Sequence, residues 1–279
     1  MKYFKGRWAR RQIQRRWELL KGRLSSSSNQ KYQVVVCGYP RSGTSLLYNM
    51  LSVSLSGFVF DPFERSALKS IWKCDNHASK QPSDVGVLHR LPSENVHRKR
   101  ILALVCIRDP RDLIVSVHPN APKRYYLGFE SHWAISGEYP YETTLVDSGI
   151  RSISEAVEAA KTVSGLTLRI IRYEDLVQRP DEVQSQLMAA MPLKFGARFS
   201  EFHLDQDRHA YRYAGATKAV APELVRENSP VDASRVGRWR AEQHRQRVRE
   251  EFETHPGLFE LVKAYGYEND DAWFEEYRS

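Results

Sequence analysis

The 279-residue sequence lacks any apolar run that approaches the roughly 18 residues expected of a transmembrane helix. Its basic beginning is not followed by the apolar stretch of a secretory signal peptide, so we expect a cytoplasmic protein. A mid-chain stretch rich in Pro, Gly or Ser is also missing, as is any internal repeat. These absences predict a single domain over residues 31–279, preceded by an N-terminal arm at residues 1–30.

Cysteine is scarce, and its pattern does not suggest a metal centre. The chain has three cysteines, an odd number, and Cys37, Cys74 and Cys106 lack the spacing of metal ligands. Two of them lie in apolar, strand-like runs, where a thiol behaves as a small apolar side chain. We therefore expect buried reduced thiols and no bound metal ion.

Negative charge is nearly absent from residues 1–24, which carry nine Lys or Arg against the single acid Glu18. This excess equals the net charge of +8 for the whole chain, so the remaining residues are formally neutral. A nucleic-acid-binding domain would be expected to spread its basic residues over its body. The charge distribution therefore argues against a nucleic-acid partner.

The arm has the pattern of a basic amphipathic helix. One apolar stripe recurs at helical spacing among the cations, through Ile13, Trp17, Leu20 and Leu24. Such a helix can lie on an anionic membrane surface or bind an acidic partner. It can equally pack its stripe on the protein body, and the sequence leaves both interpretations open.

Beyond the arm, short apolar runs alternate with segments of helical periodicity. Strands are predicted at three places, around residues 34–36, 101–107 and 166–171. Helices are predicted at four places, after residue 44, from Pro110, and over 154–163 and 181–191. This alternation favours an α/β fold in which helices cover both faces of a parallel sheet. Residues 118–150 and 203–234 are predicted to be rich in loops.

A glycine-containing turn joins the first predicted strand to the first predicted helix. It reads Gly38-Tyr39-Pro40-Arg41-Ser42-Gly43-Thr44-Ser45. Backbone N–H groups and the helix dipole make such a unit an anion site. Thr44 stands where nucleoside-triphosphate-binding loops carry Lys, which argues against an ordinary ATPase or kinase. Arg41 supplies positive charge for phosphate or sulfate oxygens, and hydroxyl donors come from Ser42, Thr44 and Ser45.

The turn resembles the donor loop of the sulfotransferases that use 3′-phosphoadenosine 5′-phosphosulfate (PAPS). That loop reads P-[KR]-[SG]-G-[TS]-[TS], and residues 40–45 match it throughout. The resemblance implies a P-loop-like three-layer fold with a central parallel β-sheet and PAPS as donor. It also implies donor contacts from Arg41, Ser42, Gly43, Thr44 and Ser45. Because a transferring sulfuryl group carries less negative charge than a phosphoryl group, a fixed Arg and a helix end can replace a metal ion.

Residues 107–112, IRDPRD, resemble the second donor motif of this family, which closes a strand and opens a helix. The resemblance implies that Arg108 and Ser116 hold the 3′-phosphate of the donor. Ser116 lies more than two helical turns beyond the start of that helix. We therefore expect the chain to fold back there.

Two later segments resemble the remaining motifs, in the family's order. Residues 172–176, RYEDL, resemble the segment in which Tyr173 is implied to lie near the adenine. Residues 235–240, RVGRWR, resemble the late segment that covers the 3′-phosphate and adenosine. There the sequence departs from the R-K-G-x-x-G-D-W-K pattern of the cytosolic small-molecule enzymes. Arg235 and Gly237 are taken as the implied donor contacts.

Sulfuryl transfer to an alcohol needs a base for the acceptor hydroxyl and positive charge on the departing phosphate. Arg41 is implied to supply the charge. Glu64 follows the loop at about the distance of the catalytic Glu in carbohydrate- and tyrosine-directed relatives. His89, in LHRLP, resembles the strand-end H-x-P region of the small-molecule enzymes, one residue out of register. Both remain candidate bases, with Asp61 as a third.

The acceptor is less constrained by the sequence. Aromatic side chains in residues 118–150 suit sugars, phenols or a lid packed on itself: Tyr125, Tyr126, Phe129, Trp133, Tyr139 and Tyr141. Residues 203–229 mix Arg, Lys and Tyr, as in a flap over an anionic acceptor or in a solvated loop. Together with the arm, these features favour the bacterial-type, carbohydrate- or lipid-directed branch and a glycan or glycolipid acceptor.

Two other functions stay open at this point. One is an inactive protein that binds PAPS or its product and works through the arm. The other is a P-loop nucleotide kinase with a degenerate loop.

Overall fold

A computed structural model describes the chain at residues 17–18, 20–21, 30–120, 123–130, 132–135, 149–205 and 231–278, with the backbone alone at 118–120, 123–125 and 132–135. In these parts of the chain, no helix is long and apolar enough to cross a membrane. The cysteines are free thiols; two are buried as expected, whereas Cys74 is partly exposed.

The described residues form eight strands: β1 (Tyr32–Gly38), β2 (Val59–Phe60), β3 (His77–Lys80), β4 (Arg100–Ile107), β5 (His118–Asn120), β6 (Lys123–Leu127), β7 (His132–Ile135) and β8 (Thr167–Arg172). Five of them build a parallel sheet in the order β2-β3-β1-β4-β8. The other three form a separate antiparallel sheet. The predicted central parallel sheet is confirmed.

The helices are α1 (Thr44–Ser54), α2 (Leu91–Glu94), α3 (Pro110–Ile114), α4 (Ile150–Lys161), α5 (Tyr173–Gln178), α6 (Pro180–Ala190), α7 (Arg245–Thr254), α8 (Gly257–Ala264) and α9 (Glu275–Arg278). Successive side chains of a strand point to opposite faces of its sheet. Val35 and Cys37 accordingly pack with α3, α4, α7 and α8, whereas Val34 and Val36 pack with α1 and α6. The predicted three-layer α/β fold is therefore confirmed.

Several boundaries differ from the sequence predictions. Part of the expected loop-rich segment 118–150 forms β5–β7, because short aromatic-rich strands pair locally without a long apolar run. Strands β2 and β3 were not predicted, since they are short and β3 is polar. Both are defined by hydrogen bonds to neighbours in the sheet, which the sequence alone does not reveal.

Candidate functional site

The predicted anion-binding turn leaves β1 at the carboxyl edge of the parallel sheet, where open α/β sheets bind ligands. Strand β1 lies between β3 and β4. Lys80 ends β3 and Arg108 directly follows β4, so the two basic residues flank the turn. Both side chains are buried, with exposed fractions of 2% and 5%.

Two glycines let the turn take its shape. Gly38 has φ +119°, and a Cβ there would lie 2.2 Å from the carbonyl oxygen of Cys106 on β4. Gly43 has φ +86°, and its Cβ would lie 2.7 Å from Cδ2 of Tyr173. Gly43 also precedes α1 and has no side chain with which to cap it. The first N–H groups of α1 therefore remain available to an anion.

Arg41 adopts a left-handed backbone conformation, with φ +68°. This conformation costs a non-glycine residue about 1–3 kcal/mol, which neighbouring contacts must offset. Its Nε donates to Ser116 Oγ at 3.3 Å, and its carbonyl accepts from Arg108 Nη1 at 3.2 Å. Arg41 thus joins the turn to the second predicted motif.

Ser42 has a different position from the one expected for a ligand contact. Its hydroxyl lies 2.6 Å from the carbonyl of Tyr39 and 3.0 Å from that of Cys106, to which it donates. The hydroxyl therefore fixes the shape of the turn. Its predicted role in binding the donor stays a prediction.

Arg108 is held by the backbone on two sides. Its guanidinium donates to the carbonyls of Arg41 and Arg235 and stacks on the Tyr173 ring, with Cζ 4.4 Å from the ring centre. Its Nε is buried and makes no hydrogen bond within the described part of the chain. A buried guanidinium with an unsatisfied donor suits an anion such as phosphate.

Ser116 reaches the turn because α3 is short. The helix begins at Pro110, as predicted, with Asp109 accepting a hydrogen bond from the Arg111 N–H at 2.9 Å. It ends at Ile114, after which the chain turns and Ser116 lies beside Arg41. The predicted fold-back of the chain is confirmed, and Ser116, Arg41 and Arg108 lie together.

The late segment docks on α3. The N–H groups of Gly237 and Trp239 donate to the Asp112 carboxylate, and the Arg111 guanidinium stacks 4.0 Å from the Trp239 ring centre. The carbonyl of Arg235 accepts from Arg108, whereas its side chain pairs with Asp232 at 3.2 Å. The segment thus borders the Arg108 side of the turn, and the implied donor contacts of Arg235 and Gly237 stay predictions.

The residues that follow α8 form side-chain contacts with the turn, with α3 and with the RYEDL motif. Three pairs make this connection: the Tyr39 and Tyr265 hydroxyls at 2.7 Å, Tyr267 Oη and Glu174 Oε2 at 2.8 Å, and Arg111 Nη1 and Glu268 Oε1 at 2.7 Å. Glu174 also accepts from the Asp109 N–H at 3.1 Å. Glu174 therefore has a structural role, linking the start of α3 to the residues that follow α8.

On the opposite side of the turn, Lys80 connects the turn to Glu64. Lys80 Nζ lies 2.8 Å from Ser45 Oγ and 2.7 Å from Glu64 Oε1. Burial lowers the pKa of Lys80, and the Glu64 carboxylate offsets part of that effect. Sequence reasoning missed Lys80. The residue ends β3, and this short polar strand could not be recognised from the sequence.

Residues 31–195 match the family model described as the sulfotransferase domain, which is more than half of the chain. The chain belongs to the sulfotransferase domain family. No curated protein matches the chain. Membership of this family gives the general activity of the sulfotransferase: it transfers a sulfuryl group to a hydroxyl-bearing acceptor.

The three candidate bases of the sulfotransferase differ in their contacts and in their exposure to solvent. Glu64 is linked to the turn through Lys80. His89 is exposed within a 3-10 segment at Pro82–Arg90, so the expectation that it lies at a strand end is wrong. It does not take part in the contacts that join Glu64, Lys80 and Ser45.

Asp61 is a poor candidate base. It lies buried beside His77 at 3.1 Å, Arg65 at 3.5 Å and Lys73 at 3.7 Å. Burial alone would raise the pKa of Asp61, but these neighbours outweigh it and hold the pKa below its ordinary value. The carboxylate is thereby committed to its cationic neighbours.

The proposed acceptor aromatics of the sulfotransferase divide into two groups. Phe129 is buried and stacks on His255, and Tyr126 packs against the Arg247 guanidinium, so both have packing roles. The other side chains lie outside the described residues: Tyr125, Trp133, Tyr139 and Tyr141. The expected flap at 203–229 lies outside them too, from residue 206 onward.

Proposed function

We propose that this sulfotransferase uses PAPS as its donor and transfers the sulfuryl group without a metal ion. Arg108 carries the proposal: its buried, unsatisfied Nε lies between the turn and the late segment. A donor with a 5′-phosphosulfate and a 3′-phosphate needs two anion sites. The α1 N-terminus with Arg41 suits the first, and Arg108 with Ser116 suits the second.

The contacts of Lys80 support a role in the transfer itself. As the sulfur–oxygen bond to the 5′-phosphate breaks, negative charge develops on the departing phosphate oxygen. We propose that Arg41, Lys80 and the N-terminus of α1 stabilise that charge. The acceptor oxygen forms the new bond to sulfur and loses its proton to Glu64, which we propose as the base in preference to His89.

We propose a glycan or glycolipid as the acceptor, with a phenol as the alternative. The aromatic content of residues 125–141 and the basic arm support this choice. Residues 31–279 are taken as the catalytic domain, and residues 1–30 as a separate arm.

Contact between the arm and an anionic membrane is supported by the exposure of the two residues of its apolar stripe that the structure describes. Trp17 and Leu20 are 59% and 49% exposed, while the arm's single acid, Glu18, accepts from the Cys74 N–H at 3.2 Å. Both side chains thus leave about half of their surface exposed to solvent. Vesicles containing phosphatidylserine should retain the protein more strongly than purely zwitterionic vesicles, and Trp17→Ser with Leu20→Ser should abolish that difference. Val96→Ser, which changes an exposed apolar residue elsewhere, is the control.

Donor binding and turnover test the main proposal. The product 3′-phosphoadenosine 5′-phosphate (PAP) should raise the melting temperature in the absence of Mg²⁺, and radiolabelled PAPS should label one class in a panel of glycans, glycolipids and phenols. Stabilisation by ATP with Mg²⁺ in place of PAP would favour a kinase. PAP binding with no labelled acceptor would favour an inactive binding protein.

A further inference from the structure

Asp112 lies on α3 and is not among the residues assigned above to donor binding. Its side chain is buried, with 1% of the residue exposed. Oδ2 accepts from the Gly237 N–H at 2.8 Å and from Arg108 Nη2 at 3.3 Å, and Oδ1 accepts from the Trp239 N–H at 3.1 Å. One carboxylate therefore binds both the guanidinium and the backbone of the late segment.

These contacts close a ring. Arg108 Nη2 donates to Asp112 and also to the carbonyl of Arg235, two residues before Gly237. Asp112 in turn holds the N–H of Gly237. The orientation of Arg108 and the position of the late segment are thus fixed against each other, although they lie more than a hundred residues apart in sequence, 125 between Asp112 and Gly237.

We propose that Asp112 is a positioning residue for recognition of the donor's 3′-phosphate. It acts through Arg108 and the late segment, and the inference rests on the proposed use of PAPS. A nucleotide without a 3′-phosphate makes no use of that arrangement. Asp112 therefore contributes to the preference for a 3′-phosphorylated nucleotide and contributes little to binding of the 5′-phosphate.

The role requires a carboxylate because every partner of Asp112 is a donor. An amide offers one accepting oxygen and one donating nitrogen. Asp112→Asn keeps the size of the side chain but places an N–H group opposite the N–H of Gly237 or Trp239. It also leaves Arg108 buried without its carboxylate partner.

Binding of two nucleotides separates positioning from a general loss of structure. Calorimetric titration with PAP and with AMP, which lacks the 3′-phosphate, gives the preference as the dissociation constant of AMP divided by that of PAP. Asp112→Asn should lower this ratio by about tenfold or more, with AMP affinity within about twofold of wild type. Asp175→Asn is the matched control, because Asp175 pairs with Arg179 at a partly exposed position.

The outcomes are distinct. An unchanged ratio in Asp112→Asn overturns the inference and leaves the proposed function intact. An equal loss for both nucleotides also overturns it, because it assigns Asp112 a merely structural role. A wild-type protein with no preference for PAP over AMP overturns the proposed donor itself, and the inference with it.

A second measurement on the wild-type protein does not depend on the folding of the variant. The Gly237 and Trp239 amides should be protected from hydrogen exchange without ligand, because Asp112 accepts their hydrogen bonds. PAP should protect them further, and AMP should not. Rapid exchange of both amides in the free protein would overturn the proposal.

Discussion

Arg108 and Lys80 are two buried cations on opposite sides of the same turn, yet they are held in different ways. Arg108 is bound by two backbone carbonyls and a fully buried carboxylate. Lys80 is bound by the Ser45 hydroxyl and by Glu64, whose side chain is 40% exposed. A cation held by backbone carbonyls suits tight binding of a phosphate that does not react. A cation paired with an accessible carboxylate suits the transfer step, in which charge develops on the departing phosphate and a proton leaves the acceptor. Under the proposed function, this difference distinguishes a binding side of the turn, at Arg108, from a reacting side, at Lys80.

The largest effect is expected from Arg108→Met. The substitution removes the charge proposed to hold the 3′-phosphate and leaves Asp112 buried without its cation. PAP affinity should fall by about 1000-fold, and the melting temperature should fall as well. Titration calorimetry measures the affinity, and Arg90→Met, at an exposed position, is the control. PAP affinity close to that of wild type would contradict the assignment of Arg108 to the binding side.

Lys80→Met tests the reacting side. We expect kcat to fall by about 100- to 1000-fold, because a charge that stabilises the departing phosphate is lost. The affinity for the unreacted donor PAPS should change little, because this charge develops only during transfer, whereas PAP already carries it and should bind more weakly. Steady-state kinetics with saturating donor measures kcat, and Lys69→Met, at an exposed position, is the control. An equal loss of PAPS affinity and of kcat would assign Lys80 to the binding side as well.

Glu64→Gln should lower kcat by about 100-fold, because the acceptor hydroxyl loses its base while the size of the side chain is kept. His89→Gln should leave kcat unchanged, since His89 is exposed and outside the Lys80 contacts. Both variants are assayed with the same donor and acceptor. The reverse pattern would identify His89 as the base.

The smallest effect is a displacement in the pH profile. The pKa of Lys80 is lowered by burial, so its charge is lost as pH rises through that lowered pKa. Activity should therefore decline at alkaline pH. Arg remains protonated over this range, so the alkaline decline of Lys80→Arg should move to higher pH even where its maximum activity is reduced. An identical decline in wild type, Lys80→Arg and the control Lys69→Arg would assign it to another group.

The sequence predicted the turn and β4 well because both carry strong local signals. Residues 38–45 combine obligatory glycines with an anion-binding pattern, and β4 is an apolar run buried on both faces of the sheet. The return of Ser116 towards the turn was expected from the resemblance, and its physical cause is the early end of α3. The turn and β4 depend on neighbours in sequence, which is why they could be predicted.

Lys80 and Asp112 could not be predicted in the same way. Lys80 ends a four-residue polar strand whose position is set by pairing with β1. Asp112 lies in a recognised motif, but its partners Gly237 and Trp239 come from a distant segment. Single-sequence patterns carry no record of such contacts. The same limit made His89 look like a strand-end residue, since LHRLP fits that pattern while belonging to a 3-10 segment.

The hydrogen bond between Tyr39 and Tyr265 joins residues 226 positions apart, and the pair of Arg111 with Glu268 spans 157. Closing such long loops costs entropy before any contact is gained, so contacts of this kind slow folding. The turn and α1 can form early from local residues, but the contacts of Tyr39 and Arg111 with Tyr265 and Glu268 form only after that distant segment has docked. Refolding should therefore produce secondary structure before it produces nucleotide affinity, with a lag between circular dichroism and recovery of PAP binding.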